Sequence, residues 1–157
     1  MSRIMASRDI VQPKSSEKLT IGRWVFIDLP MLDLDNVRAK VDTGAYRSSL
    51  HCEFIDEFER DGETYLAIQT TDMSGESIGD HPVALKQEGY VKVRSSNGEI
   101  QRRPMVSLPV VIGGREYVSE FTLTNRQDMK FPILLGRRLL KDSFVVDVSL
   151  DDPTEEE

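Results

Sequence analysis

Asp42, Thr43 and Gly44 form the segment of this sequence whose residue types and spacing best suit catalysis. A rigid carboxylate, followed by a short hydroxyl and by a glycine whose backbone N–H can approach closely, is typical of an aspartic peptidase. That chemistry needs two carboxylates about 3 Å apart that share one proton, one activating water while the other donates to the scissile carbonyl. Asp-Thr-Gly occurs once in the chain. We therefore predict a homodimer in which each chain supplies one carboxylate across a two-fold axis.

The residues directly after this tripeptide are candidates for substrate binding. Ala45 is small and leaves room for an extended peptide. Arg47 is either a partner for an acidic substrate side chain or a surface arginine in a weak ion pair, and the sequence favours neither. Asp147 is the less favoured choice for a catalytic carboxylate, because it lies in a terminal strand pattern with no glycine beside it.

The elements that must position Asp42 are strands. Val37, Ala39 and Val41 alternate with two cations, which predicts a half-buried strand that ends at the catalytic residue. Similar apolar or alternating runs, separated by Asp-Gly, Asn-Gly and Gly-Gly turns, predict further strands and one short helix at 136–142. The strand segments are 21–29, 65–71, 90–94, 99–106, 109–112, 115–124, 131–135 and 144–148. The pattern predicts an all-β fold of eight to ten strands, closed or sandwich-like.

A hairpin with Ser-Ser-Asn-Gly at its turn lies between these elements, at 95–98. Its tip residues Ser96, Asn97 and Gly98 are predicted either to touch the substrate as part of a mobile flap or to serve turn geometry alone. Arg103 lies on the returning arm. This cation either faces an acidic substrate or belongs to a solvated strand face.

Composition predicts one domain at 19–150, between a mobile arm at 1–18 and an acidic tail at 151–157. Five of the 27 acids lie in that tail, which leaves 22 acids against 20 bases. The nearly neutral domain gives no indication of nucleic-acid binding. No apolar run is long enough for a membrane span, the N-terminal segment lacks a secretory signal, and the single cysteine suits a reducing compartment. We expect a cytoplasmic protein without membrane contact.

The sequence also predicts no cofactor. Two histidines and one cysteine are few for a zinc site, and His-Glu-x-x-His is missing. The phosphate-binding pattern Gly-x-x-x-x-Gly-Lys-[Ser/Thr] is missing as well, so we predict neither a metal nor a nucleotide.

Residues 131–140, with an apolar strand, Gly136-Arg137 and two leucines, resemble the second signature of the retropepsins. The Asp-Thr-Gly tripeptide, the hairpin and this signature also follow one another in the retropepsin order. More closely, the chain is similar to a bacterial branch of retropepsin-like proteins labelled ATP-dependent zinc proteases. That similarity lies at 21–22, 29–30, 40–45, 48–51, 93–98, 103–104, 123–124, Arg126 and 134–137.

The resemblance implies a closed retropepsin-like acid-protease barrel with a flap hairpin and one short C-terminal helix. Members of the branch are associated with the removal of glutamate tails from a ribosomal protein, so the resemblance implies a glutamate-rich peptide or protein substrate. Two alternatives stay open. The same fold can hold an acidic peptide without cutting it, or the protein is a metal-dependent hydrolase, as the family label suggests.

Overall fold

A computed structural model describes residues 17–72, 76–94, 97–125 and 131–150. These residues are mostly strand, with one helix, α1 (Arg137–Leu140), and a 3-10 turn at Pro30–Leu32. The strands are β1 (Leu19–Ile21), β2 (Trp24–Leu29), β3 (Leu34–Val41), β4 (Ser48–Arg60), β5 (Glu63–Thr70), β6 (Val83–Lys86), β7 (Gly89–Arg94), β8 (Ile100–Ile112), β9 (Arg115–Thr124), β10 (Ile133–Leu135) and β11 (Phe144–Val146). The predicted all-β class is confirmed. The predicted N-terminal arm, except its last two residues, and the acidic tail lie outside the described residues.

The hairpin turns follow the predicted chemistry where they are described. Asp61 and Gly62, between β4 and β5, both have positive φ angles, 54° and 79°. Gly113 and Gly114, between β8 and β9, have φ angles of 61° and 79°. Two consecutive residues in this region are what a type I′ turn requires, and glycine, asparagine and aspartate adopt it most readily.

Several strands differ from the sequence prediction. The predicted strand 21–29 is divided into β1 and β2, and β6 has no predicted counterpart. β4 runs for 13 residues, although the sequence pattern predicts no strand at 48–60. The segments 99–106 and 109–112 form the single strand β8, which passes through Pro104 and Pro109. Pro104 pairs with Tyr90 of β7, and Pro109 pairs with Val118 of β9. In this register each proline has a paired strand on one side. Its nitrogen, which has no hydrogen to donate, can face the side without a partner strand.

The main sheet closes on itself. The strand order is β9-β8-β2-β3-β10-β4-β5-β6, with β7 paired to β8. An additional parallel pairing of β9 with β4 joins the two ends of its first six strands into a ring. β10 is itself one strand of the ring and lies between β3 and β4. It pairs in parallel with β3 and antiparallel with β4. β3, which leads to Asp42, and β4, which follows the loop after Asp42, are therefore held by the same three-residue strand.

The core lies inside this ring of strands. Tyr117, Ser119, Phe121 and Leu123, predicted to share one face of β9, are all buried. Cys52 is fully buried, and burial raises the pKa of its thiol to about 12, so the thiol stays protonated at neutral pH. The cysteine is therefore a small core residue. Among the described residues, no helix is long and apolar enough to cross a membrane.

Candidate active site

The loop that carries Asp42 is fixed at its start by β10. The backbone N–H of Asp42 donates to the carbonyl of Leu135 at 2.9 Å, which continues the parallel pairing of Val41 with Leu135. The loop then turns tightly, because the N–H of Ala45 donates to the carbonyl of Asp42 at 3.2 Å. The N–H of Gly44 donates to Oδ1 of the Asp42 carboxylate at 3.0 Å. The carboxylate is thus oriented by its own loop, in the way predicted for the glycine.

The end of the same loop is fixed by the segment that follows β10. The N–H of Arg137 donates to the carbonyl of Ala45 at 2.8 Å, and the N–H of Arg138 donates to the carbonyl of Tyr46 at 2.9 Å. The N–H of Gly136 donates to the hydroxyl of Ser48 at 3.0 Å. The backbone of Gly-Arg-Arg therefore supplies three donors, two of which bind carbonyls of the loop and one the hydroxyl of Ser48.

Gly136 also allows the two segments to approach. A Cβ atom at this position would lie 2.5 Å from the carbonyl oxygen of Arg47 and 2.6 Å from its carbonyl carbon. These are backbone atoms that cannot rotate away. A Cβ on Gly44 would lie 3.3 Å from Oδ1 of Asp42, a tight contact with the candidate carboxylate. Both glycines therefore have a steric reason for their positions.

A cavity of about 700 Å³ opens over Asp42, between this loop and the β7–β8 hairpin. Five of the predicted site residues line it, namely Asp42, Gly44, Ala45, Arg47 and Arg103. The other lining residues are Tyr46, Ser49, Lys92, Val93, Arg94, Thr122 and Leu134. The cavity thus brings together two groups of predicted site residues, those of the loop after Asp42 and Arg103 of the returning hairpin arm.

The remaining predicted residues lie at the margins. Thr43 is exposed, and its carbonyl accepts a hydrogen bond from Nη1 of Arg137 at 3.1 Å. Asn97 and Gly98 are exposed at the hairpin tip and are not among the cavity-lining residues. The side-chain oxygen of Asn97 accepts from the N–H of Glu99 at 3.1 Å, and Gly98 has a φ of 92°. Ser96 lies outside the described residues. Substrate contact by the flap tip stays a prediction.

The charge of the cavity is the feature that sequence reasoning captured only in part. Among the described lining residues, four are cations, Arg47, Lys92, Arg94 and Arg103, and one, Asp42, is an acid. Arg47 also lies 3.5 Å from Glu120, which is not among the lining residues. Arg47 and Arg103 were candidates, whereas Lys92 and Arg94 were missed because the alternation of β7 was interpreted only through its valines. The available signal was that both cations precede the hairpin turn on the arm opposite Arg103.

No group of three or more histidine, cysteine or acidic residues close enough to hold a metal is present in the described ranges. The two histidines have different environments. Nδ1 of His51 is buried beside the Thr71 hydroxyl at 2.9 Å, whereas His81 is exposed beside Asp33. The backbone carbonyl of Pro82 and the nearby Asp33 raise the pKa of His81.

Comparison with known proteins agrees with this geometry. Residues 21–156 match the family described as "Retropepsin-like aspartic endopeptidase RimB". A crystal structure of a Legionella pneumophila protein of unknown function has a TM-score of 0.73 at 30% identity, and the match covers 88% of this chain and 100% of that one.

Two similar curated proteins carry the name "Probable alpha-L-glutamate ligase". The protein from Shewanella halifaxensis is 32% identical over 139 residues, which is 86% of this chain and 30% of the relative. The protein from Desulfotalea psychrophila is 28% identical over 143 residues, 85% of this chain and 29% of the relative. The chain thus spans about 30% of the length of the curated relatives that it matches. From the family match and its extent, the chain belongs to the RimB-like family of retropepsin-like aspartic endopeptidases.

Proposed function

We propose that this protein is an aspartic endopeptidase that acts as a homodimer on glutamate-rich segments of proteins. The observation that carries the proposal is the cavity at Asp42, where an oriented carboxylate and four cations line the same space. The carboxylate is the group that activates water in this class of enzyme. The cations are the groups that bind an acidic peptide.

The second carboxylate is supplied by Asp42 of an identical chain. The exposure of Thr43 supports this arrangement, because its hydroxyl makes no hydrogen bond to another described residue of its own chain. In the dimer the hydroxyl is available to donate across the two-fold axis. The two Asp42 carboxylates share one proton, so one removes a proton from water while the other protonates the carbonyl oxygen of the scissile bond.

The fold supplies the remaining parts of such an enzyme. We propose that the ring of strands is a closed acid-protease barrel, that residues 19–150 form one catalytic domain, and that the β7–β8 hairpin is its flap. Peptide binds in extended form beneath the flap, where backbone groups of the strands can pair with it. The flap closes over the bound peptide and excludes water from the reacting bond. We place this activity in the cytoplasm, as the sequence suggests.

The curated relatives support a glutamate-rich substrate. Their name describes a ligase that acts on L-glutamate, and this chain matches less than a third of their length. A hydrolase that cuts peptide bonds between glutamates would act in the direction opposite to ligation. A cavity with an excess of positive charge is the physical counterpart, because each glutamate brings one carboxylate.

A pair of peptides tests this substrate class. A peptide that ends in six glutamates should be cleaved within the glutamates, whereas its glutamine counterpart should react at least about tenfold more slowly, since charge-assisted hydrogen bonds are lost. Arg103→Gln should lower kcat/KM for the glutamate peptide about tenfold. Arg60→Gln, at the β4–β5 turn and outside the cavity, removes the same charge and is the matched control. Product masses and rates give the readout.

Other outcomes of that experiment would point elsewhere. Equal cleavage of both peptides would contradict the proposed preference for acidic substrates but would still show peptidase activity. Tight binding of the glutamate peptide without any cleavage, and with equal affinity in Asp42→Asn, would establish a binding module instead. Cleavage that needs added zinc and survives Asp42→Asn would establish a metal-dependent hydrolase.

A further inference from the structure

Beside the cavity, three arginines surround one tyrosine. We propose that this tyrosine–arginine cluster, made of Tyr46, Arg47, Arg137 and Arg138, is a second subsite that binds one acidic side chain of the substrate. The inference rests on the proposed function, because it assigns a further contact to the same acidic peptide.

The geometry of the cluster is open to a ligand. The guanidinium carbons of Arg47, Arg137 and Arg138 lie 5.2, 5.7 and 5.7 Å from the centre of the Tyr46 ring. Tyr46 is 53% exposed, so its ring is accessible to a ligand. Tyr46 and Arg47 line the cavity, whereas Arg137 and Arg138 belong to α1. The cluster therefore extends the binding surface from the cavity toward the helix.

Positive charge exceeds negative charge in the cluster. Oε1 of Glu120 lies 3.1 Å from Nη1 of Arg138 and 3.5 Å from Nη1 of Arg47. Nη1 of Arg137 donates to a neutral backbone carbonyl, that of Thr43. In the described part of the chain, Glu120 is the one carboxylate that pairs with these three guanidinium groups. One carboxylate against three cations leaves capacity for another.

The contacts of Glu120 are incomplete as well. Oε1 of Glu120 and Nη1 of Arg47 lie 3.5 Å apart, close enough for an ion pair. Neither atom has a hydrogen-bond partner within the described ranges, and both are shielded from solvent. Buried polar atoms in proteins are nearly always hydrogen-bonded, and an exception calls for a ligand or another explanation. Because Nη1 of Arg47 is shielded, a substrate carboxylate would meet the exposed part of the cluster instead, where the side chains of Arg47 and Arg138 are 30% and 45% exposed. Glu120 thus shows that the cluster accepts a carboxylate without saturating it.

The position of the cluster fixes what it would recognise. Tyr46 and Arg47 end the loop that Asp42 begins, so a peptide held over Asp42 passes the cluster a short distance from the scissile bond. Because side chains of an extended peptide alternate in direction, we expect the cluster to read one substrate position and to leave the residues on either side of it unaffected.

The experiment scans the six-glutamate peptide, replacing one glutamate at a time by glutamine. Binding to proteins that carry Asp42→Asn is measured by fluorescence anisotropy, so that no turnover is needed, and kcat/KM is measured in parallel with active proteins. We expect one position at which the replacement weakens binding about tenfold, and we expect Arg138→Gln to abolish that single loss. Arg138→Lys should restore part of it, because the charge returns without the planar fork.

Glu120→Gln is the second variant. It removes the internal competitor, so the all-glutamate peptide should bind several-fold more tightly, and the gain should vanish for the peptide with glutamine at the position that Arg138 reads. The control is again Arg60→Gln, and thermal unfolding confirms that each variant is folded. Arg138 is suited to this test because its side chain is 45% exposed, while its structural contact to Tyr46 uses the backbone.

The outcomes separate the two levels of the proposal. If Arg138→Gln and Glu120→Gln change the binding of no peptide, or change the binding of all peptides alike, the proposed subsite is wrong. The proposed function would still stand if the unchanged protein cleaves glutamate peptides. If the unchanged protein neither binds nor cleaves the glutamate peptide, the proposed substrate class is wrong and the subsite falls with it.

Discussion

Asp42→Asn is expected to lower kcat/KM for a glutamate peptide by about 10²- to 10⁴-fold, the usual contribution of a general acid or base. Asparagine keeps the shape of the side chain and can still accept from the N–H of Gly44, which is 3.0 Å from Oδ1 in the unchanged protein. What it cannot do is take a proton from water or share one with a second carboxylate. The thermal midpoint and the proposed dimer should therefore be preserved while turnover is lost.

Two controls make this result specific. Asp35→Asn removes an exposed carboxylate from the same strand that leads to Asp42, and it should leave the rate unchanged. Mixing unchanged and Asp42→Asn chains tests the shared site. Only dimers with two unchanged chains keep both carboxylates, so activity should fall with the square of the unchanged fraction. A linear fall would show that each chain carries a complete site.

Gly136→Ala is expected to cost about 1–3 kcal/mol of stability or more, as overpacking of a buried contact does. The added Cβ would lie 2.5 Å from the carbonyl oxygen of Arg47, so β10 and the active-site loop must separate. For a chain of this size each kcal/mol lowers the thermal midpoint by about 2–4 °C. Because the loop carries Asp42, activity should fall further than the loss of folded protein explains. Thermal unfolding and kcat/KM at low temperature measure the two effects.

Gly79→Ala is the matched comparison for that variant. Its Cβ would lie 3.3 Å from Nε2 of Gln69, the end of a side chain that can move, and no backbone atom is nearer than 3.9 Å. A small change in thermal midpoint and normal activity are expected. Equal stability of the two variants, with full activity in Gly136→Ala, would contradict the role given to the contact between Gly136 and the loop.

The parts of this site that follow local rules could be predicted from the sequence. Alternation at 37–41 places Asp42 at the end of β3, and the Asp-Gly and Gly-Gly turns have the positive φ angles that those residues favour. The apolar run before Gly136 gives β10 and the start of α1. Each of these depends on a few neighbouring residues, which is why a single sequence contains the information.

The parts that depend on distant pairing could not be predicted in the same way. The outer half of β4 is charged and exposed, so its pattern does not indicate a strand. It is held instead by pairing with β5, where Phe58 stacks on Tyr65 at 5.7 Å between ring centres. Likewise, nothing local places β10 between β3 and β4, or brings Lys92 and Arg94 to the cavity that Asp42 lines. Those relations arise only when the sheet closes.

A crystal structure of the protein with a non-cleavable glutamate peptide would give the separation of the two Asp42 carboxylates. We expect a symmetric dimer in which these carboxylates lie about 3 Å apart beneath the peptide. A peptide bound in the cavity of a single chain, with the second Asp42 beyond hydrogen-bond reach, would contradict it.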